Sequence, residues 1–418
     1  MITIDWQQLE RLLGEQGKVW LALSGGMDSM VLLHILTHQA PVAIRQRLTA
    51  LHVHHGLSQH ADHWLSHCQT TCKGYDVPFY FERIQIDQTG SIEEQARQKR
   101  YQVFANHLQA GDVLLQGHHA NDQAETVLFR LERGCGWRGI QGIPACRRIG
   151  DANVFRPLLK TSRSMIEAYA KTHQLEWVED ESNLELQFRR NFLRHQVLAP
   201  WQANNADIAK QVAQSVERIQ AESSVLERLL VETLAGFINR DGGLRLSLLP
   251  ESERGFWLSA FLNQQGISVT QQQQRSLVDM FFSSQDKQPE YIRHHYRLVR
   301  FKAAMYILPK DQRAVEQALV AGTWIEREFD RVYCDQDVQL KPRPEGVQLC
   351  LPNGKHRPLK KFLQDQQVPS WWREQLPYVF AKGELVAIGG LWQHPDWSGQ
   401  VIWQRNDRLP WPSDPSRT

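Results

Sequence analysis

Ser24-Gly25-Gly26-Met27-Asp28-Ser29 follows the apolar run Val19–Leu23 directly and precedes Met30–Leu36, whose apolar positions continue as one helix face. Strand, glycine pair and helix in register predict a tight turn in which the backbone comes close to a ligand. The loop amides and the first turn of the helix then form a concave site polarised for an anion. Ser24 and Ser29 add hydroxyl donors. The run lacks the Gly-Lys-Ser/Thr ending of a Walker loop, so no lysine reaches a γ-phosphate. Serines without a lysine suit a pyrophosphate group held whole, as when ATP is cleaved between its α and β phosphates. A bare double glycine would be only a turn, with Asp28 a helix cap; the flanking strand and helix favour the anion site.

Outward from this loop, Leu48–Val53, Phe79–Ile86 and Val113–Gln116 are further strand candidates separated by helical patterns. Strands alternating with helices predict βαβ units and a mostly parallel, Rossmann-like sheet, with ligands at the carboxyl ends of the strands. The pattern changes near Trp201. Val212, Val216, Ile219, Val225, Leu226, Leu229 and Leu230 recur at helical spacing. Residues 241–310 mix short helices and strands, and the end of the chain reads as a small α+β module with Val386–Ile388 entering a Gly389-Gly390 turn. The expected domains are 1–215, catalytic; 216–320, mostly helical; and 335–418, α+β.

The 418 residues carry a net charge of +2, so global charge makes no case for a nucleic-acid partner. Local excess does. Residues 130–163 hold eight bases against Glu132 and Asp151, and residues 340–361 hold six against Glu345. Either run alone also fits an ordinary solvated surface. The six cysteines are too sparse for a disulfide framework and are expected as reduced thiols. No run approaches the length of a membrane-spanning helix. The start, Met-Ile-Thr-Ile-Asp-Trp, lacks the basic and apolar segments of a signal peptide. A cytoplasmic protein is expected.

The 24–29 run resembles the signature of the N-type ATP pyrophosphatases, the PP-loop superfamily. Further segments, in order, resemble the tRNA(Ile)-lysidine synthetases: Leu51-His52-Val53-His54-His55-Gly56-Leu57, Glu93-Glu94-Gln95-Ala96-Arg97, Arg100-Tyr101, His118-His119-Ala120-Asn121-Asp122-Gln123-Ala124-Glu125-Thr126, Arg133-Gly134-Cys135-Gly136, Arg156-Pro157-Leu158-Leu159, Asp180-Glu181-Ser182-Asn183 and Arg190-Asn191 through Arg194. The series covers roughly residues 17–200; the later region resembles the family's tRNA-binding part through weaker motifs. Asn121 stands where the family often has aspartate, so it is given no ionic role.

The resemblance implies a ligase that joins lysine to C2 of the wobble cytidine in the isoleucine tRNA with a CAU anticodon. ATP would adenylate the base oxygen, and the lysine ε-amine would displace AMP. The product pairs with A instead of G, moving the codon from AUG to AUA and the tRNA's identity from methionine to isoleucine. Ser24, Gly25, Gly26, Met27, Asp28 and Ser29 would hold the triphosphate, with Asp28 facing a phosphate-bound Mg²⁺. His52 and His54 would shape the adenine pocket rather than ligate metal, because no acidic partner adjoins them in sequence. Arg97 is either the cation on the α-phosphate or a surface partner of Glu93 at i,i+4; Arg190 is a second candidate for that phosphate.

Asp122 and Glu125 share a helix face. They would hold the lysine ammonium and help to deprotonate it, or would simply favour a helix N-terminus. Arg133, Arg138, Arg190, Arg194, Lys360 and Lys361 are candidates for tRNA contact. Trp371 and Trp372, beside the second basic run, are more often core than stacking platforms. Expected partners are the tRNA and L-lysine, with no membrane; the sequence leaves homodimerisation open. Among rivals, a thiolase of this type would show paired cysteines, and an amidotransferase a glutaminase-like segment. NAD synthetase would leave the basic runs and the long C-terminal region unexplained, and a tRNA-binding protein with structural ATP would have no need of Asp28, Arg97, Asp122 and Glu125 together.

Overall fold

The computed structural model describes residues 2–412 except 57, 87–91, 182–184, 186–187, 284–288, 294 and 311–315; the side chains of residues 92 and 93 also lie outside the description. Leu57, Ser182, Asn183 and the Glu93 side chain, singled out above, therefore lie outside the described residues. The chain divides into two compact units, Met1–Leu226 and Glu227–Thr418.

In the first unit, α1 (Trp6–Leu12) leads into β1 (Val19–Ala22), α2 (Met27–His38), α3 (Val42–Arg45) and β2 (Leu48–His54). There follow α4 (Ala61–Gly74), β3 (Phe79–Arg83), α5 (Ile92–His107), β4 (Val113–Leu115), α6 (Ala120–Glu132) and α7 (Trp137–Ile140). Then come β5 (Cys146–Ile149), β6 (Ala152–Phe155), α8 (Arg163–Thr172), α9 (Arg189–Phe192), a π-helical turn Leu193–Leu198, α10 (Ala199–Asn204) and α11 (Ile208–Ala235), whose last turns lie beyond Leu226 in the second unit.

The six-stranded sheet has the order β3-β2-β1-β4-β6-β5, parallel throughout except for β5 at the edge. Every residue of β2 is buried, as expected where helices cover both faces of a parallel sheet. One face packs Leu21, Leu32, Ile35, Leu115, Leu158 and Ile166; the other packs Trp20, Leu51, Val53, Phe104, Leu114 and Val154. Chain order reverses between β1 and β4, the switch point beside which α/β sheets bind ligands.

Asp112 ties β1 to β4 below this edge. Its carboxylate is 4% exposed and accepts from Lys18 N (2.8 Å), Trp20 Nε1 (3.0 Å) and Gln109 N (2.9 Å). All six cysteines are free, and Cys68 and Cys72 share the buried face of α4. Burial pushes both thiols up to about 12, which keeps them inert.

In the second unit, β7 (Leu244–Arg245), α12 (Arg254–Gln264), α13 (Gln271–Phe282), β8 (Glu290–Ile292), β9 (Tyr296–Phe301) and β10 (Ala304–Pro309) give two helices against an antiparallel sheet of order β7-β10-β9-β8. Trp257, Phe261, Leu277, Phe281, Leu298 and Met305 fill the space between them. The remainder consists of short antiparallel strands around a helix at Leu359–Asp365. Trp371 and Trp372 are buried there, and both indoles donate to the carbonyl of Pro410, at 2.8 and 2.9 Å. Phe301 and Tyr306 pack on Trp371 with ring centroids 5.5 and 5.3 Å apart. These tryptophans are core.

Asp112→Ala leaves three donors without their acceptor in a dry place, so it should lower unfolding free energy by roughly 3 kcal/mol, read from urea midpoints. An unchanged midpoint would show that the carboxylate does not hold the two strands.

Candidate active site

The carboxyl end of β1 runs into the 24–29 loop. Gly25 has φ +88°, and a Cβ there would stand 2.9 Å from Val178 Cγ2 and 3.1 Å from Cys68 Sγ, so the position demands glycine. Ser29 Oγ donates to Gly26 O (2.9 Å), and the hydroxyls of Ser24 and Ser29 are 3.2 Å apart. Gly26 caps α2 without a side chain, which leaves the first amides of the helix to an outside acceptor. Met27 is buried beneath the loop, Ser24 is exposed, and Asp28 is half-buried at the start of α2.

The exit of β4 passes hard against this loop. A Cβ on Gly117 would stand 3.2 Å from the carbonyl carbon of Asp28 and 3.3 Å from Ser29 N. That contact brings His119, the N-cap of α6, beside α2. His119 Nε2 lies 3.6 Å from Asp28 Oδ1 and 3.6 Å from Asp122 Oδ2. Asp122 in turn accepts from His119 N (2.9 Å), completing a capping box with the imidazole, whose Nδ1 accepts from Asn121 N (3.2 Å). Arg194, inside the π-helical turn, reaches Glu125 through two bonds, Nε–Oε1 2.6 Å and Nη2–Oε2 3.0 Å, and stands 4.0 Å from Asp122. Asp28, His119, Asp122, Arg194 and Glu125 therefore form one continuous chain of ionisable groups.

Burial disfavours a charged His119, but Asp122 and Asp28 outweigh it and hold the imidazole above its ordinary value. Burial likewise opposes ionisation of Asp122, yet His119, His118, a backbone N–H and Arg194 keep its carboxyl below the usual range. Glu125 goes the other way: its burial raises it, with Arg194 only partly offsetting. Asp122 thus both caps the helix and faces the site, and Glu125 is already neutralised by an arginine. Arg194, a tRNA-contact candidate from the sequence, has its guanidinium turned inward.

His52 Nδ1 donates to Leu23 O (2.8 Å) under the loop, and burial lowers its pKa. His54 Nε2 lies 3.3 Å from Asp62 Oδ1 and 3.3 Å from Arg83. An acidic partner therefore does adjoin the histidine run, supplied by α4 and invisible in the local sequence. Arg97 lies over the Tyr101 ring at 5.1 Å. Arg133 is exposed and lies over Phe129 at 3.9 Å; Arg190 flanks the same ring at 5.8 Å, and Arg138 stacks on Trp137 at 4.5 Å. Asn121, without charge, accepts from Arg163 N (3.0 Å). Lys360 and Lys361 are exposed on the Leu359–Asp365 helix of the second unit.

The basic run 130–163 is not one surface. Arg130 donates to the carbonyls of Gly139 and Gly142, Lys160 pairs with Glu217, and Arg156 is buried at 3% exposure. Sequence reasoning missed His119, whose place as N-cap immediately before Asp122 was the available signal. It also missed the burial of Arg156, for which the sequence held none.

Residues 2–200 match the PP-loop domain model, and residues 338–411 match the TilS substrate C-terminal domain model. A tRNA(Ile)-lysidine synthase of Vibrio cholerae is 35% identical over 94% of this chain and 96% of its own. That of Serratia proteamaculans is 34% identical over 97% and 98%. A solved U34-tRNA thiolase from Methanococcus maripaludis aligns at 15% identity and TM-score 0.41, over 51% of this chain and 76% of that one.

His55 and His118 are each lowered from 6.5 to about 4, chiefly by burial. Each takes up a proton in the unfolded chain first, so the stability due to the neutral rings is complete above pH 6.5 and is lost as pH falls towards about 4. His119 opposes this in part, since its raised pKa favours the folded state below pH 6.5. Urea midpoints should fall between pH 7.5 and 5, and His118→Gln should make that fall shallower. An identical slope in the variant would contradict the placement.

Proposed function

The chain belongs to the tRNA(Ile)-lysidine synthase family, and from that premise we propose that it joins L-lysine to C2 of the wobble cytidine of a CAU-anticodon isoleucine tRNA. The reaction runs in two steps. The cytidine O2 attacks the α-phosphorus of ATP and pyrophosphate leaves; the ε-amine of lysine then attacks C2 and AMP departs with that oxygen. The observation that carries the reading is the Asp28–His119–Asp122 contact, which sets a phosphate loop beside a half-buried carboxylate at the sheet's switch point.

The open amides of α2 with Ser24 and Ser29 suit the β and γ phosphates. Asp28 Oδ1 is buried with no hydrogen-bond partner, which fits a hard cation, and no cluster of three metal-ligating side chains exists among the described residues. Asp28 would thus give Mg²⁺ one protein oxygen, with phosphate and water supplying the rest. When bound, the ion neutralises charge on the leaving pyrophosphate. Arg97 is the proposed cation for the α-phosphate, with Arg190 as the alternative.

Asp122, held ionised, is suited to attract the ε-ammonium and take its proton before attack. Glu125, locked by Arg194, orients that side of the helix. Arg133, Arg138 and Arg190 in the first unit, and Lys360 and Lys361 in the second, are proposed phosphate contacts. Such contacts fix register, while splayed anticodon bases are read elsewhere. The 216–320 and 335–418 segments are the proposed tRNA-binding modules, the enzyme acts in the cytoplasm, and self-association as a homodimer is open to test.

Labelled lysine should enter a CAU-anticodon isoleucine transcript only with ATP, and should not enter an elongator methionine tRNA. Incorporation into neither by folded enzyme contradicts the reading. Asp122→Asn should lower lysine incorporation about 100-fold, with a smaller loss of pyrophosphate release measured without lysine. Equal losses would place Asp122 in the adenylation step instead.

A further inference from the structure

Two of the sequence segments quoted above, Arg100-Tyr101 and Arg156-Pro157-Leu158-Leu159, have no part in the chemistry just described. The fold brings them together. Tyr101 lies on α5, Gln116 directly follows β4, Arg156 directly follows β6, and Arg147 lies on β5 opposite Val154. All four reach the carboxyl edge of the sheet on the β4–β6 side.

Around the Tyr101 hydroxyl the groups are basic or neutral. Arg147 lies over its ring at 4.2 Å, Arg97 at 5.1 Å, and Arg156 Nη2 is 3.5 Å from the hydroxyl. Both amide atoms of Gln116 are 3.3 Å from it. Arg156 is 3% exposed, yet among the described residues its side chain's one other partner is the carbonyl of Pro144 (2.8 Å), and its Nε has none. The Nε of Arg147 and Nδ1 of His118 are also buried without partners. Among the described residues no carboxylate forms an ion pair with Arg147 or Arg156. Burying guanidinium charge without a counter-charge is costly, and the neighbours repel: burial and then Arg147 and Arg97 lower the Arg156 pKa, against Tyr101.

A bound oxyanion would remove that conflict. The geometry points to Arg147 and Arg156, with Tyr101 and Gln116, as the site that holds the α-carboxylate of the amino-acid substrate. The assignment rests on the lysine reading above and names the end of the molecule that reading leaves unplaced. A free carboxylate suits guanidinium groups this deeply set, whereas a phosphodiester must bring its flanking chain with it. His118 immediately precedes the N-cap of the helix that carries Asp122, and, beyond the effect of burial, Asp122 raises its pKa while Arg156 lowers it. The ammonium end thus falls to Asp122 and the carboxylate end to the arginines, which selects an amino acid over a bare amine.

The probe is 1,5-diaminopentane, which is lysine without its carboxylate. Full-length wild type, Arg147→Gln and Arg156→Lys are titrated calorimetrically with lysine and with the diamine, and then assayed with each as nucleophile. Wild type should bind lysine and should prefer it in kcat/KM by about 10- to 100-fold, the worth of a charged hydrogen bond. Both variants should bring the ratio close to one by weakening lysine alone, with KM for tRNA unchanged. An unchanged ratio overturns the site. So does a raised tRNA KM at constant ratio, which assigns the arginines to an RNA phosphate. Lysine binding that depends on Arg147, without any turnover, would keep the site and sink the ligase reading. No lysine binding by wild type would overturn the site even if another nucleophile reacts.

Discussion

The backbone of Gly117 passes so close to Asp28 that a side chain there would stand only 3.2 Å from its carbonyl carbon and press on the start of α2. This one approach makes two elements far apart in sequence into a single site. It sets the N-terminus of α6 against that of α2, so that His119 lies between the carboxylates of Asp28 and Asp122. Strand β4 delivers Gly117 because it neighbours β1, and that adjacency is the point where the sheet reverses its order. The glycine at 25 completes the arrangement, since its left-handed φ turns the chain back towards Val178.

Charge is divided along the same edge. On the β1–β4 side acids and bases alternate, with His119 between Asp28 and Asp122 and Arg194 bonded to Glu125. On the β4–β6 side Arg147 and Arg156 stand together about Tyr101, with no ion-paired carboxylate among the described residues. Buried charges require compensation, so a one-sided cluster held by the fold implies a ligand of the opposite sign. On the proposed reading a zwitterionic substrate answers the two halves in turn, its ammonium at Asp122 and its carboxylate at the arginines.

Much of this was legible in the sequence. The 24–29 run and the buried strands were readable because glycine, β-branched residues and helix periodicity act locally. Trp371 and Trp372 were expected as core and are core, each with its indole bonded to Pro410. Charged residues were harder to read. The run of bases at 130–163 suggested one surface, whereas Arg130 supports carbonyls, Lys160 pairs with Glu217 and Arg156 is buried. Arg194, a candidate phosphate contact, turns out to be bonded to Glu125 as well. His54 finds Asp62 only because α4 folds over β2. In each case the deciding neighbour comes from another element, and a one-dimensional pattern does not carry it.

The account stands on a phosphate loop that holds pyrophosphate whole while a base oxygen attacks at the α-phosphorus. The most direct measurement follows two labels at once, α-labelled and γ-labelled ATP, incubated with enzyme and CAU-anticodon isoleucine tRNA in the absence of lysine. The α-label should move onto the tRNA in step with release of labelled pyrophosphate. Release of inorganic phosphate with formation of ADP, and no α-label on the tRNA, would contradict it.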